Sequence, residues 1–252
     1  MTLVSIGDLV EEGTYPFHSR FNRAVNFTQA NRLISVVDEK VGDGPLNIVL
    51  PDFHASPSRG PLQVFAREVI FEGRKYPTTS RYSSTISGKP RHLSIFKKCL
   101  ITTAPPKSLA FLLDESRVQN FHDGFERRFV AHVQRSVHDI FHGDRLEGVR
   151  ALSGCGIGLT PSGDDFLAGH LIGLHLRGEN TDDVFEAARS DNIFSNTFLD
   201  LARQGRLFGR MKHLILALMH GRAVRQCTER LFAVGSTSGA DLATGFYMTV
   251  NA

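Results

Sequence analysis

Three cysteines in 252 residues, Cys99, Cys155 and Cys227, are too few and too scattered for a disulfide framework or a thiolate zinc site. Reduced thiols are expected. Apolar runs long enough to span a membrane are missing, and so is any block of like charge. A formal net charge of only +3 at pH 7 speaks against nucleic acid as a partner. The opening MTLVSIGDLVEE has no basic start and reaches Asp8 and Glu11 early, unlike a signal peptide. The hydrophobic share of 41% and charged share of 22% are those of a globular protein, expected in the cytoplasm with no membrane partner.

The first hundred residues carry short Val- and Ile-rich runs between breakers. RAVNFTQ (23–29), RLISVVDE (32–39), LNIVLP (46–51), REVIFEG (67–73) and HLSIF (92–96) read as strands, GDGP (42–45) as a turn and SPSRGP (56–61) as a loop. Beyond the Pro105–Pro106 pair the pattern turns helical. Phe121, Phe125, Phe129, Val133, Val137 and Phe141 recur every four residues, predicting one long helix from Ser116 to His142 with that stripe in the core. Further helices are expected near 163–177, 196–204, 207–220, 222–233 and 238–249. Strands followed by helices define an α+β chain. An N-terminal, mainly antiparallel β lobe covers 1–110, and a C-terminal, mostly α-helical lobe covers 111–252.

The stretch GCGIGLTPSGDDFLAG (154–169) stands out. Its three alternating glycines precede an apolar helix whose start has the S-x-x-D form of a capping box, Ser162 with Asp165. Free N–H groups and the dipole at a helix start favour an anion, and glycines let a ligand approach the backbone. The motif is neither a Walker A loop nor a dinucleotide fingerprint, and nothing in it requires a cofactor. SGADLATG (238–245) repeats SGDDFLAG (162–169) as S-G-x-D-x-x-x-G, so two helix starts can serve one site. The candidate substrate-binding residues are Gly156, Gly158, Thr160, Ser162, Gly163 and Asp165, with Ser238, Gly239 and Asp241 from the second copy. Asp164 has no carboxylate counterpart in that copy, where Ala240 stands, so it is the candidate for chemistry and Asp165 for structure.

Other candidates are weaker. His138 and His142 in HDIFH share a helix face, but no third ligand is apparent and no metal is expected. Cys155 has no identifiable base. Arg59 and Arg81 lie on polar loops, where a guanidinium suits a carboxylate or phosphate.

The run from Gly154 to Gly169 resembles the signature G-x-G-x-G-L-T-P-S-G-D-D-x-L-x-G of a bacterial family typified by the AllH-type subunit of oxamate carbamoyltransferase. SNTFLDLARQGR (195–206) and VGSTSGADLATG (234–245) resemble later family segments. The resemblance implies a part in carbamoyl transfer between carbamoyl phosphate and oxamate, in allantoin breakdown, beside other subunits. The family has also been labelled a carboxylase. A non-catalytic anion-binding subunit or sensor, or an ATP-dependent carboxylase-like enzyme, are the alternatives.

Overall fold

The computed structural model describes residues 5–29, 31–54 and 59–252. Met1–Val4 of the N-terminal segment and 56–58 of the expected loop lie outside the described residues. The chain divides into a sheet unit, Met1–Thr85 with Arg206–Gly209, and a helical unit, Ile86–Gly205 with Arg210–Ala252. The sequence pattern put the change of character at 110.

Among the described residues the sheet unit holds ten strands: β1 (Ser5–Gly7), β2 (Gly13–Tyr15), β3 (Phe17–Phe21), β4 (Ala24–Gln29), β5 (Arg32–Asp38), β6 (Asn47–Leu50), β7 (Leu62–Val64), β8 (Glu68–Phe71), β9 (Arg74–Pro77) and β10 (Arg81–Tyr82). They form one sheet in the order β10-β1-β6-β5-β4-β3 and a second in the order β2-β7-β8-β9. Pairing is mostly antiparallel, with β1–β10 and β5–β6 parallel. Adjacent strand residues face opposite ways, so burial of Leu33, Ile34, Val36 and Val37 shows that both faces of β5 are covered. The β8–β9 hairpin closes through Glu72 (φ 51°) and Gly73 (φ 75°), the doubly left-handed turn that matches strand twist.

The helical unit carries α1 (Leu93–Thr103), α2 (Gly124–His142), α3 (Arg145–Leu152), α4 (Ser162–Arg177), α5 (Asp182–Ala188), α6 (Ile193–Arg203), α7 (Gly209–His220), α8 (Val224–Phe232) and α9 (Ser238–Asn251). None among the described residues is long and apolar enough to cross a membrane. Sheets followed by helices make the chain α+β, as its pattern implies. Two readings need correction. The segment HLSIF is not a strand but the start of α1, which buries Phe96, Cys99 and Leu100 at helical spacing. The long helix from Ser116 is two pieces, a 3-10 helix at Glu115–Asn120 and then α2. Asp123 caps α2 by accepting the Glu126 N–H at 2.7 Å, while Glu126 accepts the His122 N–H at 2.8 Å. Positions four apart drift by about 40° per step around a helix, so the phenylalanine stripe cannot stay on one face. Phe125 is accordingly 68% exposed, and Val130, Val133, Val137 and Ile140 form the buried face.

The helical unit is organised around α4 and α9. Buried residues run unbroken from Gly163 to Leu174 in α4 and from Gly239 to Tyr247 in α9. The contacts rise together along both helices: Phe166 meets Gly245, Gly169 meets Phe246, and Gly173 meets Thr249. The helices are therefore parallel, with their N-termini at one end. A Cβ at Gly169 would lie 2.0 Å from Leu242 O, and one at Gly245 would lie 2.1 Å from Phe166 O. Each backbone thus packs on the other through the same glycine of the repeated motif.

Alanine at either position must push two backbones apart. Gly169→Ala and Gly245→Ala should each lower stability in urea by about 1–3 kcal/mol or more. Gly124→Ala, where nothing lies within 4 Å, should be neutral or slightly stabilising. Equal effects at all three positions would contradict this packing.

Candidate functional site

The loop before α4 is built on left-handed glycines: Gly154 (φ 69°), Gly156 (φ 123°) and Gly158 (φ 110°). The Gly163 N–H donates to Cys155 O at 2.8 Å, which closes the loop at its base. Pro161 occupies the N-cap of α4 without a side-chain hydrogen bond, and Thr237 does the same for α9. Ser162 and Ser238 are consequently the first helical residues, and the expected capping box does not form. Their hydroxyls instead reach across to the other helix: Ser162 hydrogen-bonds Asp241, and Ser238 hydrogen-bonds Asp165. The S-G-x-D repeat is thus a crossed pairing between parallel helices. Its glycine has a packing reason as well, because a Cβ would meet Leu152 O at 2.0 Å from Gly163 and Leu231 O at 1.9 Å from Gly239.

Both aspartates of this pairing are enclosed, Asp165 at 2% and Asp241 at 0% exposure. Asp241 Oδ1 accepts the Leu109 N–H at 2.6 Å. The Oδ2 atoms of Asp165 and Asp241 have no hydrogen-bond partner among the described residues. Burial pushes the Asp165 carboxyl up to about 8, aided by the nearby Asp241 and Asp164 and opposed by hydrogen bonds from Ser238 and Thr160. Burial likewise pushes Asp241 up to about 7, against hydrogen bonds from Leu109, Thr237 and Ser162. The two helix dipoles favour ionisation, each by up to about 2 kcal/mol, but that is less than the cost of ionising so enclosed a group. Both carboxyls are therefore shifted toward the protonated acid, the form that can donate a hydrogen bond.

Asp164 is placed differently. Its Oδ1 accepts the Gly154 N–H at 2.7 Å and its Oδ2 accepts the Ser195 hydroxyl at 2.5 Å, so both oxygens fasten the loop to α6. Cys155 is half-buried, and its thiol is pushed up by burial and then by Asp164, which opposes a nucleophilic role. Thr160 contributes its hydroxyl to Asp165. The N–H groups of Gly156, Ile157, Gly158, Leu159 and Thr160 find no acceptor among the described residues. Ile157 and Leu159 are 88% and 49% exposed at the tip of the loop.

The remaining candidates make other contacts. Arg59 belongs to the sheet unit, where its guanidinium lies 5.9 Å from the centre of the Phe17 ring, and Arg81 donates to Asp8 O at 3.5 Å. His138 and His142 are exposed at the end of α2 with ring centres 5.3 Å apart. No group of three metal-ligating side chains occurs among the described residues. Three participants were not singled out from sequence: Ser195, Thr237 and Leu109. Ser195 and Thr237 had a signal, as residues of SNTFLDLARQGR and VGSTSGADLATG, and Leu109 had none. A buried histidine, His170, was also unforeseen. Its Nδ1 lies 2.7 Å from the Thr249 hydroxyl, Nε2 has no hydrogen-bond partner among the described residues, and burial, then Arg145 and Arg177, lowers its pKa to about 3.

The helix pair and its glycine loops thus form one arrangement, two glycine-led helix starts side by side at one end of the α4–α9 pair. Residues 152–250, which contain both glycine loops and both helix starts, match the model of a family described as oxamate carbamoyltransferase subunit AllH. The match supports the AllH-type family to which the glycine run bears a resemblance. No solved structure matches the chain.

Two measurements test the site's construction. Double-mutant cycles should give couplings of about 0.5–1.5 kcal/mol for Ser162 with Asp241 and for Ser238 with Asp165. Coupling of Ser162 with Asp165 of the same order would restore the capping box and contradict the crossed pairing. The second measurement is stability against pH. The folded protein retains protons on Asp165 and Asp241 that the unfolded chain releases, so this stabilisation is full below about pH 4 and is lost as pH rises through 7 to 8. His170 acts oppositely, but only below its unfolded value near 6.5. From about pH 6.5 to 8, stability should therefore fall by up to about 1.4 kcal/mol per unit for each carboxyl still protonated. Asp165→Asn should flatten that decline, and a flat wild-type profile would contradict the assignment.

Proposed function

We propose that this chain is a subunit of a carbamoyltransferase acting between carbamoyl phosphate and oxamate, and that it holds a small anionic substrate at the paired starts of α4 and α9. The observation that carries the reading is the parallel packing of two glycine-led helices within the segment that matches the AllH family. Two positive helix ends side by side attract a carboxylate or phosphate more strongly than one. The unengaged N–H groups of Gly156–Thr160 supply donors, and the left-handed glycines keep side chains out of the ligand's way. Asp165 and Asp241, held as acids by burial, can donate to an anion where carboxylates would repel it. Asp164 positions the loop through Gly154 and Ser195. Such donors suit the developing charge of carbamoyl transfer, which needs no cofactor. The family description, which names a subunit, supports partner subunits in the working assembly.

A second reading is favoured by a specific observation. The Asp164 oxygens are both engaged and the Cys155 thiol is raised, so the loop offers donors without a free base or nucleophile. On that reading the chain binds the anion and another subunit completes the chemistry.

Calorimetry with carbamoyl phosphate and oxamate, on this chain alone and with its partner subunits, tests the proposal. Binding should raise the melting temperature, by about 2.7 kcal/mol of added stability at a hundredfold excess over Kd. Gly156→Ala, whose Cβ would lie 2.7 Å from Ser162 N, should weaken binding by about tenfold or more. Binding by the isolated chain without transfer supports the second reading. No binding of either compound, alone or in the assembly, would overturn both.

A further inference from the structure

Two cavities of the helical unit lie outside the glycine-loop site, and their charges are arranged differently. One, of about 570 Å³, is lined by Leu146, Arg150, Ser153, Asp183, Glu186, Ala187 and Arg189. Its arginines are already paired, Arg150 with Glu147 at 3.1 Å and Arg189 with Glu186 at 3.0 Å. That cavity is electrically self-contained.

The other, of about 650 Å³, lies along α7 and α8. Leu216, Ala217 and Cys227 give it an apolar floor, and every remaining lining residue is basic: His213, His220, Arg222 and Arg230. No acidic residue lines it, and none of the four makes an ion pair among the described residues. The arrangement follows from the sequence. His213 and His220 are seven residues apart on α7, two helical turns, so they stand on one face with Leu216 and Ala217 between them. Arg222 sits in the turn that follows, while Cys227 and Arg230, three apart on α8, share a face. The two guanidiniums give the concavity a positive potential that draws an anion. Guanidinium forks match phosphate oxygens in pairs, and imidazoles add donors beside them. The volume lies within the range of small-ligand sites, roughly 300–1,000 Å³.

We propose that this groove is a second anion site of the chain. It takes an organic phosphate, whose phosphate group lies among His213, His220, Arg222 and Arg230 and whose apolar body covers Leu216, Ala217 and Cys227. The proposal is independent of what the glycine loop binds.

The test uses phenyl phosphate as a probe, with inorganic phosphate and phenol as its two halves. Calorimetry on the full chain should show phenyl phosphate binding at least about tenfold more tightly than either half. Half-buried Cys227 reports the site directly. Its iodoacetamide labelling, followed by peptide mass spectrometry, should slow several-fold with phenyl phosphate. Half-buried Cys155, in the glycine loop, is the internal control and should be unaffected. Arg222 and Arg230 are exposed, so Arg222→Glu with Arg230→Glu should leave the melting temperature near wild type. That variant should lose affinity by about tenfold or more and lose protection of Cys227. Unchanged affinity in the charge-reversed protein would overturn the proposal. So would unprotected Cys227, or protection of Cys155 in its place, which assigns the anion to the glycine loop alone.

Discussion

The close parallel approach of α4 and α9 is the constraint on which the helical unit depends. Gly169 and Gly245 each receive a backbone carbonyl of the opposite helix where a methyl group would clash. That spacing fixes the register, and the register brings Ser162 to Asp241 and Ser238 to Asp165. It also sets the two helix starts side by side. One packing contact thereby determines which polar groups are buried together and where the two dipoles add.

The buried polar groups divide the labour. Asp164 spends both oxygens on Gly154 and Ser195 and so holds the loop in a conformation that only glycines adopt without strain. Asp165 and Asp241 keep one oxygen each without a partner, in surroundings that favour the protonated acid. An unsatisfied buried oxygen costs stability. A ligand able to complete the hydrogen bonding at this end of the helix pair would recover some of that cost. The basic groove of α7 and α8 is a different kind of site, made of side-chain charge over an apolar floor.

Much of this was legible in the sequence, because the second motif repeats the first at the spacing S-G-x-D-x-x-x-G. The four β-lobe runs centred on Val25, Val36, Ile48 and Val69 were readable for a similar reason, since they are rich in buried β-branched residues. The partners of the repeat were not readable. A serine three residues before an aspartate has the same form whether it caps its own helix or bonds its neighbour, and only tertiary packing decides. The true box at Asp123 and Glu126 was hidden by phenylalanines whose four-residue spacing continues across the break. Strands of two to five residues, such as β10 and β3, are too short to show a period. Ser195 and Leu109 enter the site through contacts 31 and 132 residues distant in sequence.

On the function proposed above, the two parallel helix starts form one anion seat. A crystal structure of the chain with carbamoyl phosphate or oxamate tests it most directly. Density for the anion is expected within hydrogen-bonding distance of the Gly156–Thr160 backbone and beside Asp165 and Asp241. An anion found only in the α7–α8 groove, or helices α4 and α9 whose starts lie at opposite ends, would contradict it.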